Sequence, residues 1–390
     1  MDTKMRILVT GAAGFLGKNL VAELNNISEG KTAFDGIEKG TEILCADIDT
    51  PFSKLEEYVK SCDFIYHLAG VNRPENVEEF REGNRDSLLK ILDILRKEGR
   101  VVPIALSSST QASLQNPYGE SKREAEALLK EYSKETGAEI YIFRFPGLFG
   151  KWCRPNYNSV VATFCYNTAN NIPLRIDAPE KEIPLLYVDD AVKAMLGCIN
   201  KDAEYDEDGF VLAAPQYSVS LSKLATLLGE FRDTREKLQV PLTGDDFTRK
   251  LYATYLSYLK KDDFSYPLTT HSDARGSFTE IIRTPDRGQF SVNISKPHIT
   301  KGNHWHHTKN EKFCVVSGRG VIRFRDIHSH EVIEYFVSGE KIEVVDIPTG
   351  YTHNIENLGD TDMVTFMWCS ETFDPDHPDT YFLEVADEQN

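Results

Sequence analysis

The chain changes its hydrophobic period once along its length, and that change limits what it can fold into. From about residue 5 to about residue 188, short apolar runs (RILVTG, EILCAD, DFIYHLAG, VVPIALSSS, EIYIFRFPGLFG) alternate with stretches of helical period (FLGKNLVAEL, SLLKILDILRK, SKREAEALLKEYSK). Such alternation marks βαβ units and a parallel sheet. Residues 200 to 262 are polar and helical in pattern. After FSYP the chain turns to short strands separated by turns (GSFTEIIRT, GQFSVNIS, KFCVVSGRGVIRFRD, KIEVVDIP, MVTFMWCS), the pattern of an all-β barrel or jelly roll. A length of 390 residues exceeds what one core serves, so two domains are expected, at 1–262 and 263–390.

Charge narrows the partners. A net charge of −17 argues against nucleic acid and against an anionic membrane face, both of which reward clustered Lys and Arg. The seven cysteines form no CxxC pair, as expected of reduced thiols in a cytoplasmic protein, and neither a leader pattern nor a run of membrane length is seen.

Two segments carry the chemistry of the first domain. TGAAGFLG (Thr10 to Gly17) follows a strand and opens a helix, where spaced glycines let backbone amides approach a pyrophosphate. NPYGESK sets Tyr118 and Lys122 four apart on one helix face, so the ammonium is expected to lower the phenol pKa from about 10 and make Tyr118 a proton donor to a carbonyl. LSSST offers the hydroxyls of Ser108, Ser109 and Thr110 to the same carbonyl. Asp47, ending EILCAD, is placed to bind an adenosine ribose and would favour NADH, although about thirty residues separate it from Gly17, more than the roughly twenty of the usual fingerprint. RPNYNS supplies Arg154, Asn156 and Asn158 as donors suited to phosphate groups in an otherwise acidic chain.

Taken together, TGxxGxxG, HLAG, Asn84 on the next helix, the serine, YxxxK, RFPGLFG and LLYVDD resemble the extended short-chain dehydrogenase/reductase family over about residues 5 to 265. The resemblance implies a doubly wound Rossmann-like sheet acting on nucleotide-sugars with NADPH or NADH. By it Tyr118 is the acid, Lys122 its partner and ribose contact, and Ser109 polarises the carbonyl. It further implies that Thr10, Gly11, Gly14, Phe15, Leu16, Gly17, Leu68, Ala69 and Gly70 line the cofactor and that Asn84 meets substrate.

The second domain carries KGNHWHHTKNE and DIPTGYTHNIEN. His304, His306 and Glu311 fit HxHxxxxE and His353 fits PxGxxHxxxN, a pairing that resembles the two cupin motifs. Three imidazoles and a carboxylate suit zinc or another divalent first-row metal. His307 is expected to point outward. DARGSFTE and GQFSVNISKPHITKGNHWHH also resemble the 3,5-epimerases of rhamnose synthesis, which would make His304 a catalytic base and Lys312 the group that steadies an enolate; that conflicts with His304 as a metal ligand, and the added HxH, a departure from those epimerases, favours the metal reading.

Over nearly the full length, with HLAGVNRP, FGKWCRPNYNSV and DFSYPL as further segments, the chain resembles bifunctional capsular polysaccharide enzymes of UDP-N-acetyl-L-fucosamine synthesis. The resemblance implies a homodimer acting on a UDP-linked 4-keto-6-deoxy amino sugar: the cupin epimerises carbon 3 and the reductase domain reduces carbon 4 to a talose-type product. The rival reading keeps the reductase and makes the cupin a non-catalytic module for dimerisation or sugar binding.

Overall fold

The computed structural model describes residues 4–386. Within them the chain forms two compact units. The first comprises residues up to 229 together with 246–260, and the second comprises 230–245 together with 261 onward. Residues 230–245, which the sequence reading assigns to the first domain, group with the second. Backbone bonds fasten them there: Val240 donates to the Arg283 carbonyl at 3.0 Å, and the Arg283 amide to the Leu238 carbonyl at 2.7 Å.

In the first unit a parallel sheet is built from β1 (Arg6–Thr10), β2 (Glu42–Ala46), β3 (Phe64–His67), β4 (Ile104–Ser109) and β5 (Ile140–Phe145), in the order β2-β1-β3-β4-β5. Its helices are α1 (Phe15–Ser28), α2 (Phe52–Ser61), α3 (Glu78–Arg81), α4 (Ser87–Glu98), α5 (Pro117–Thr136), α6 (Val160–Ala169), α7 (Val188–Gly197), α8 (Leu221–Asp233), which runs past residue 229, and α9 (Asp246–Leu256). A smaller sheet joins β6 (Gly147–Phe149), β7 (Glu182–Tyr187) and β8 (Gln216–Ser220).

The strand runs are continuously apolar because both faces are covered. Ile7 and Val9 of β1 pack with Leu20 and Leu24 of α1 and Val192 of α7, whereas Leu8 between them packs with Val59 of α2 and Ile91 and Leu95 of α4. Alternate residues thus serve alternate helix layers, which is what doubly winds the sheet.

The second unit consists of two antiparallel sheets. Its strands are β9 (Thr270–Asp273), β10 (Gly276–Arg283), β11 (Gln289–Ser295), β12 (Thr300–Trp305), β13 (Glu311–Ser317), β14 (Arg319–Asp326), β15 (Val332–Ser338), β16 (Val345–Ile347), β17 (Tyr351–Asn357), β18 (Met363–Cys369) and β19 (Tyr381–Phe382). They order as β16-β13-β18-β11-β10-β9 and β15-β14-β17-β12-β19. Phe313, Val315 and Met363 of one sheet meet Ile322, Phe324 and Ile355 of the other in a shared core. Further interior positions are polar: Ser291, Asn293, His306, His353 and Thr365 are all buried.

Candidate functional site

The first site forms where β1, β3 and β4 end. Gly11 adopts φ +68°, and a Cβ there would stand 2.7 Å from the Ala69 amide nitrogen, so the turn after β1 can press against the turn after β3 only with glycine in place. A Cβ on Gly17 would lie 2.1 Å from the Gly11 carbonyl oxygen, which requires glycine for the close approach of α1 to the loop. Gly14 caps α1 without any side-chain bond to its first turn, so that helix terminus presents its amides to an anion. Thr10 is buried and its hydroxyl meets the ring of His67; Leu16 enters the core and Phe15 packs beside it. Leu68, Ala69 and Gly70 form the neighbouring turn.

Asp47 follows β2 directly, and its carboxylate accepts the Ala13 amide of the glycine loop at 2.7 Å. The surplus spacing seen in the sequence is taken up by residues 29–41, which form a surface turn anchored by buried Ile37. Asp47 therefore stands beside the glycine loop in spite of the longer connection.

At the end of β4 the pleat separates the adjacent serines. Ser108 is buried and donates to Glu126, which also holds Arg144 through bonds of 2.9 and 2.7 Å. Ser109 faces the other way, toward the Tyr118 phenol. Asn116 caps α5 by accepting the Gly119 amide at 2.8 Å, with Pro117 in the first turn, and this start places Tyr118 and Lys122 one turn apart. Lys122 is buried, with its Nζ donating to the Ser107 carbonyl at 3.1 Å and lying 5.8 Å from the Tyr118 ring centroid.

Burial pushes Lys122 down to about 8, with Glu126 acting in the opposite direction. Burial raises the Tyr118 phenol, and the Ser109 hydroxyl pulls it back only in part. Ser109, rather than Lys122, is the group that lowers the phenol here, the hydrogen bond of the Lys122 ammonium going to the Ser107 carbonyl.

Asn84 sits in a π-helical turn (Glu82–Asp86) and is 2% exposed. Its Oδ1 accepts the Val71 amide at 3.0 Å, while its Nδ2 donates to the Val71 carbonyl at 3.1 Å and to Ser121 at 3.0 Å. It thus ties the turn after β3 to α5. Arg154, Asn156 and Asn158 are exposed on the loop between β6 and α6, where Asn156 adopts φ +55° and Arg154 covers the Tyr157 ring. A cleft of about 250 Å³ opens beyond the carboxyl ends of β4 and β5, lined among others by Thr110, Ser113, Phe145, Pro146 and Gln216. Open α/β sheets bind ligands at that edge.

The second site lies within the antiparallel unit. His304 of β12 pairs in register with His353 of β17, and Glu311 begins β13. A bulge at Asn303, φ +59°, breaks the regular pairing just before His304. The candidate ligand atoms of His304, His306, Glu311 and His353 all lie within 4.8 Å of one another. Glu311 Oε2 stands 3.2 Å from His353 Nε2 and 3.5 Å from His306 Nε2, yet none of these three buried atoms makes a hydrogen bond. Orphaned buried nitrogens and a carboxylate converging on one point fit a divalent cation. Burial lowers His304 to about 4, helped by His353. Burial opposes the charge on Glu311, but His306 and His353 outweigh it and hold the carboxyl far below its usual range.

His307 is exposed, as expected, against Trp305 and Tyr381. Lys312 is a correction. It follows Glu311 on β13, so the strand alternation that turns Glu311 inward turns Lys312 outward, where its ammonium pairs with exposed Asp346. No signal in the sequence pointed to Asp379, which lies far along the chain yet binds the segment just after His306.

Parallel sheet, glycine turn and Ser–Tyr–Lys cluster together define a nucleotide-dependent oxidoreductase architecture, and residues 7–213 match the model of the NAD dependent epimerase/dehydratase family. The chain belongs to that family. Residues 271–381 match the polysaccharide biosynthesis C-terminal domain. Over its full extent the chain is similar to the capsular polysaccharide assembling protein CapF of Staphylococcus aureus, whose crystal structure superposes with a TM-score of 0.90 at 53% identity, covering 98% of this chain and 100% of that one. It is also 43% identical over 383 residues, 98% of this chain and 100% of the relative, to UDP-2-acetamido-2,6-beta-L-arabino-hexul-4-ose reductase of Pseudomonas aeruginosa. The spore coat polysaccharide biosynthesis protein SpsL of Bacillus subtilis is 26% identical over 131 residues, 31% of this chain and 87% of its own. Among the described residues no helix is long and apolar enough to cross a membrane.

Proposed function

We propose that the protein is a bifunctional nucleotide-sugar enzyme of surface polysaccharide synthesis. Its first unit reduces the 4-keto group of a UDP-2-acetamido-2,6-dideoxy-4-hexulose, and its second unit epimerises carbon 3 of the same sugar. The observation that carries the reading is the Ser109–Tyr118–Lys122 arrangement beside the glycine turn, in a chain that matches a named UDP-hexulose reductase over its whole length.

The residues divide the work as follows. Gly11, Gly14 and Gly17 leave room for a pyrophosphate at the α1 terminus, and Asp47 stands where an adenosine ribose would lie, with NADPH and NADH both open as donors. When bound, a reduced nicotinamide supplies the hydride for carbon 4. Ser109 hydrogen-bonds the carbonyl oxygen, Tyr118 delivers the proton to it, and Lys122 holds positive charge behind the phenol as phenolate develops. Arg154, Asn156 and Asn158 offer donors to the UDP phosphates.

In the second unit His304, His306, Glu311 and His353 would hold zinc or a similar divalent ion, which supplies Lewis-acid stabilisation of negative charge when bound. The two roles open to His304 exclude one another, because a ring nitrogen bound to the ion has no lone pair for a proton; only in a metal-free site would His304, less buried than His306 and His353, take the proton from carbon 3. With Lys312 outside, enolate charge is left to the imidazole cluster and its cation. A homodimer in the cytoplasm is the expected working form.

The test is incubation of the 4-keto sugar in deuterated water, followed by NMR. Without cofactor, deuterium is expected at carbon 3; with NADPH or NADH, a 4-hydroxy product is expected. Reduction without any exchange at carbon 3 would leave the second unit as a non-catalytic module, and exchange without reduction would overturn the role given to the first.

A further inference from the structure

We infer that Asp379 is a positioning residue for the imidazole cluster, fixing the turn 306–309 so that His306 Nε2 faces Glu311. The inference rests on the reading of that cluster as a divalent-metal site. Asp379 engages four successive residues. Its Oδ1 accepts the His307 amide at 3.0 Å, and its Oδ2 accepts the Thr308 and Lys309 amides, each at 2.9 Å, and the Thr308 hydroxyl at 3.1 Å. Its own carbonyl stands 2.6 Å from His306 Nδ1. A carbonyl can only accept, so Nδ1 carries the proton and Nε2 is left with its lone pair free, as a metal ligand requires.

The grip is two-sided. Beyond Asp379, Phe382 and Tyr381 pair with His304 and Trp305, and the Leu383 amide donates to the Asn303 carbonyl at 3.0 Å. The Lys309 ammonium closes the other end on the Pro378 carbonyl at 2.6 Å. Residues 378–383 therefore hold the chain both before His304 and after His306. Asp379 itself sits at φ +40°, a left-handed conformation that Asp tolerates better than most residues and that the surrounding bonds must maintain.

The experiment uses full-length protein and zinc alone, titrated against a chromophoric chelator. It compares wild type with Asp379→Ala, Asp379→Gly and Asp379→Asn, and adds the absorption spectrum of the cobalt-substituted site and amide exchange at residues 307–309. Removing the carboxylate is expected to weaken zinc about 10- to 100-fold, to change the cobalt bands and to unprotect those amides. The glycine variant keeps this measurable if alanine does not fold, since glycine accepts the left-handed backbone. Asparagine can present one oxygen to the Thr308 and Lys309 amides and should recover most of the affinity, which a general loss of stability would not produce. Folded alanine or glycine variants with unchanged zinc affinity, cobalt bands and amide protection would overturn the inference. Should wild type itself take up no zinc, the metal reading fails, and amide exchange of wild type against the variants then decides whether Asp379 holds the turn.

Discussion

His304 and His353 face one another across the β12–β17 ladder with ring centroids 4.6 Å apart. Two histidines contributed by motifs far apart in the sequence thus share one rung of one sheet. Glu311 comes from the opposite sheet, so the cluster bridges the two sheets. A cation bound there would join both sheets, so its removal should be felt by that unit as a whole.

Chelation of zinc-loaded protein is expected to lower the unfolding transition of the second unit and leave that of the first nearly unmoved. A ligand bound only by the native state stabilises by about 4 kcal/mol when its free concentration is about a thousandfold above its dissociation constant. His353→Gln should mimic chelation. Differential scanning calorimetry with metal analysis checks this; no stoichiometric metal and no shift would favour His304 acting as a base in a metal-free site.

Tyr118→Phe is expected to reduce turnover of NADPH or NADH by about 10²- to 10⁴-fold, the usual worth of a positioned general acid, while exchange at carbon 3 continues. Equal loss of both activities in a folded variant would refute the division of labour between the units.

The adjacent serines should separate in their effects. Ser109→Ala is expected to lower reduction, since its hydroxyl lies toward Tyr118, and to cost only the cap bond to the exposed Gln111 amide, about 1 kcal/mol. Ser108→Ala should instead destabilise the first unit by roughly 1–3 kcal/mol, because Glu126 loses a buried donor. Steady-state kinetics and urea melts on both variants distinguish the two.

Lys312→Ala should leave exchange at carbon 3 at the wild-type level and change stability by no more than roughly 0–1 kcal/mol, since its side chain and that of Asp346 are 48% and 73% exposed. Loss of exchange in this variant would show that the outward lysine reaches the site after all.

The first unit should lose stability in acid through His67. Burial holds this ring at about 3 against an ordinary value of 6.5, and it is bonded to Thr10 at 2.9 Å and Ser87 at 3.3 Å. Between those values the unfolded chain binds the proton and the folded chain does not. The contribution of the neutral ring is thus complete above pH about 6.5 and is lost toward pH about 3, with a slope of about 1.4 kcal/mol per pH unit. His67→Gln should flatten that limb in urea melts between pH 4 and 7; an unchanged slope would assign it to carboxylates instead.

How much of this was legible in the sequence depends on the range of the contacts. Periodicity sufficed for Tyr118 and Lys122 on one helix face and for the two layers around β1, because helix and strand geometry act locally. It did not extend to Lys312, where the pleat beside Glu311 had to be applied as well. Nor could it show that Asn84 is buried and fully bonded, since burial is decided by Val71 and Ser121 arriving from elsewhere. Asp47 kept its place despite a long connection because pairing of β2 with β1, rather than residue count, sets where that strand ends. Asp379 left no trace at all: its partners, some seventy residues earlier, are mostly backbone amides, which any sequence supplies.

The path of the chain between its two units carries a consequence for heredity. It passes from the first unit to the second after residue 229, returns after 245 and leaves again after 260. No single crossover within the gene can therefore part the two units cleanly: a cut after 229 sends 246–260 along with the second unit, a cut after 260 leaves 230–245 on the first, and a cut after 245 misplaces both segments. Separating the reductase-like and β-sheet portions cleanly would take cuts at all three crossing points, so a truncation made at any one of them leaves a segment attached to the unit it does not pack with.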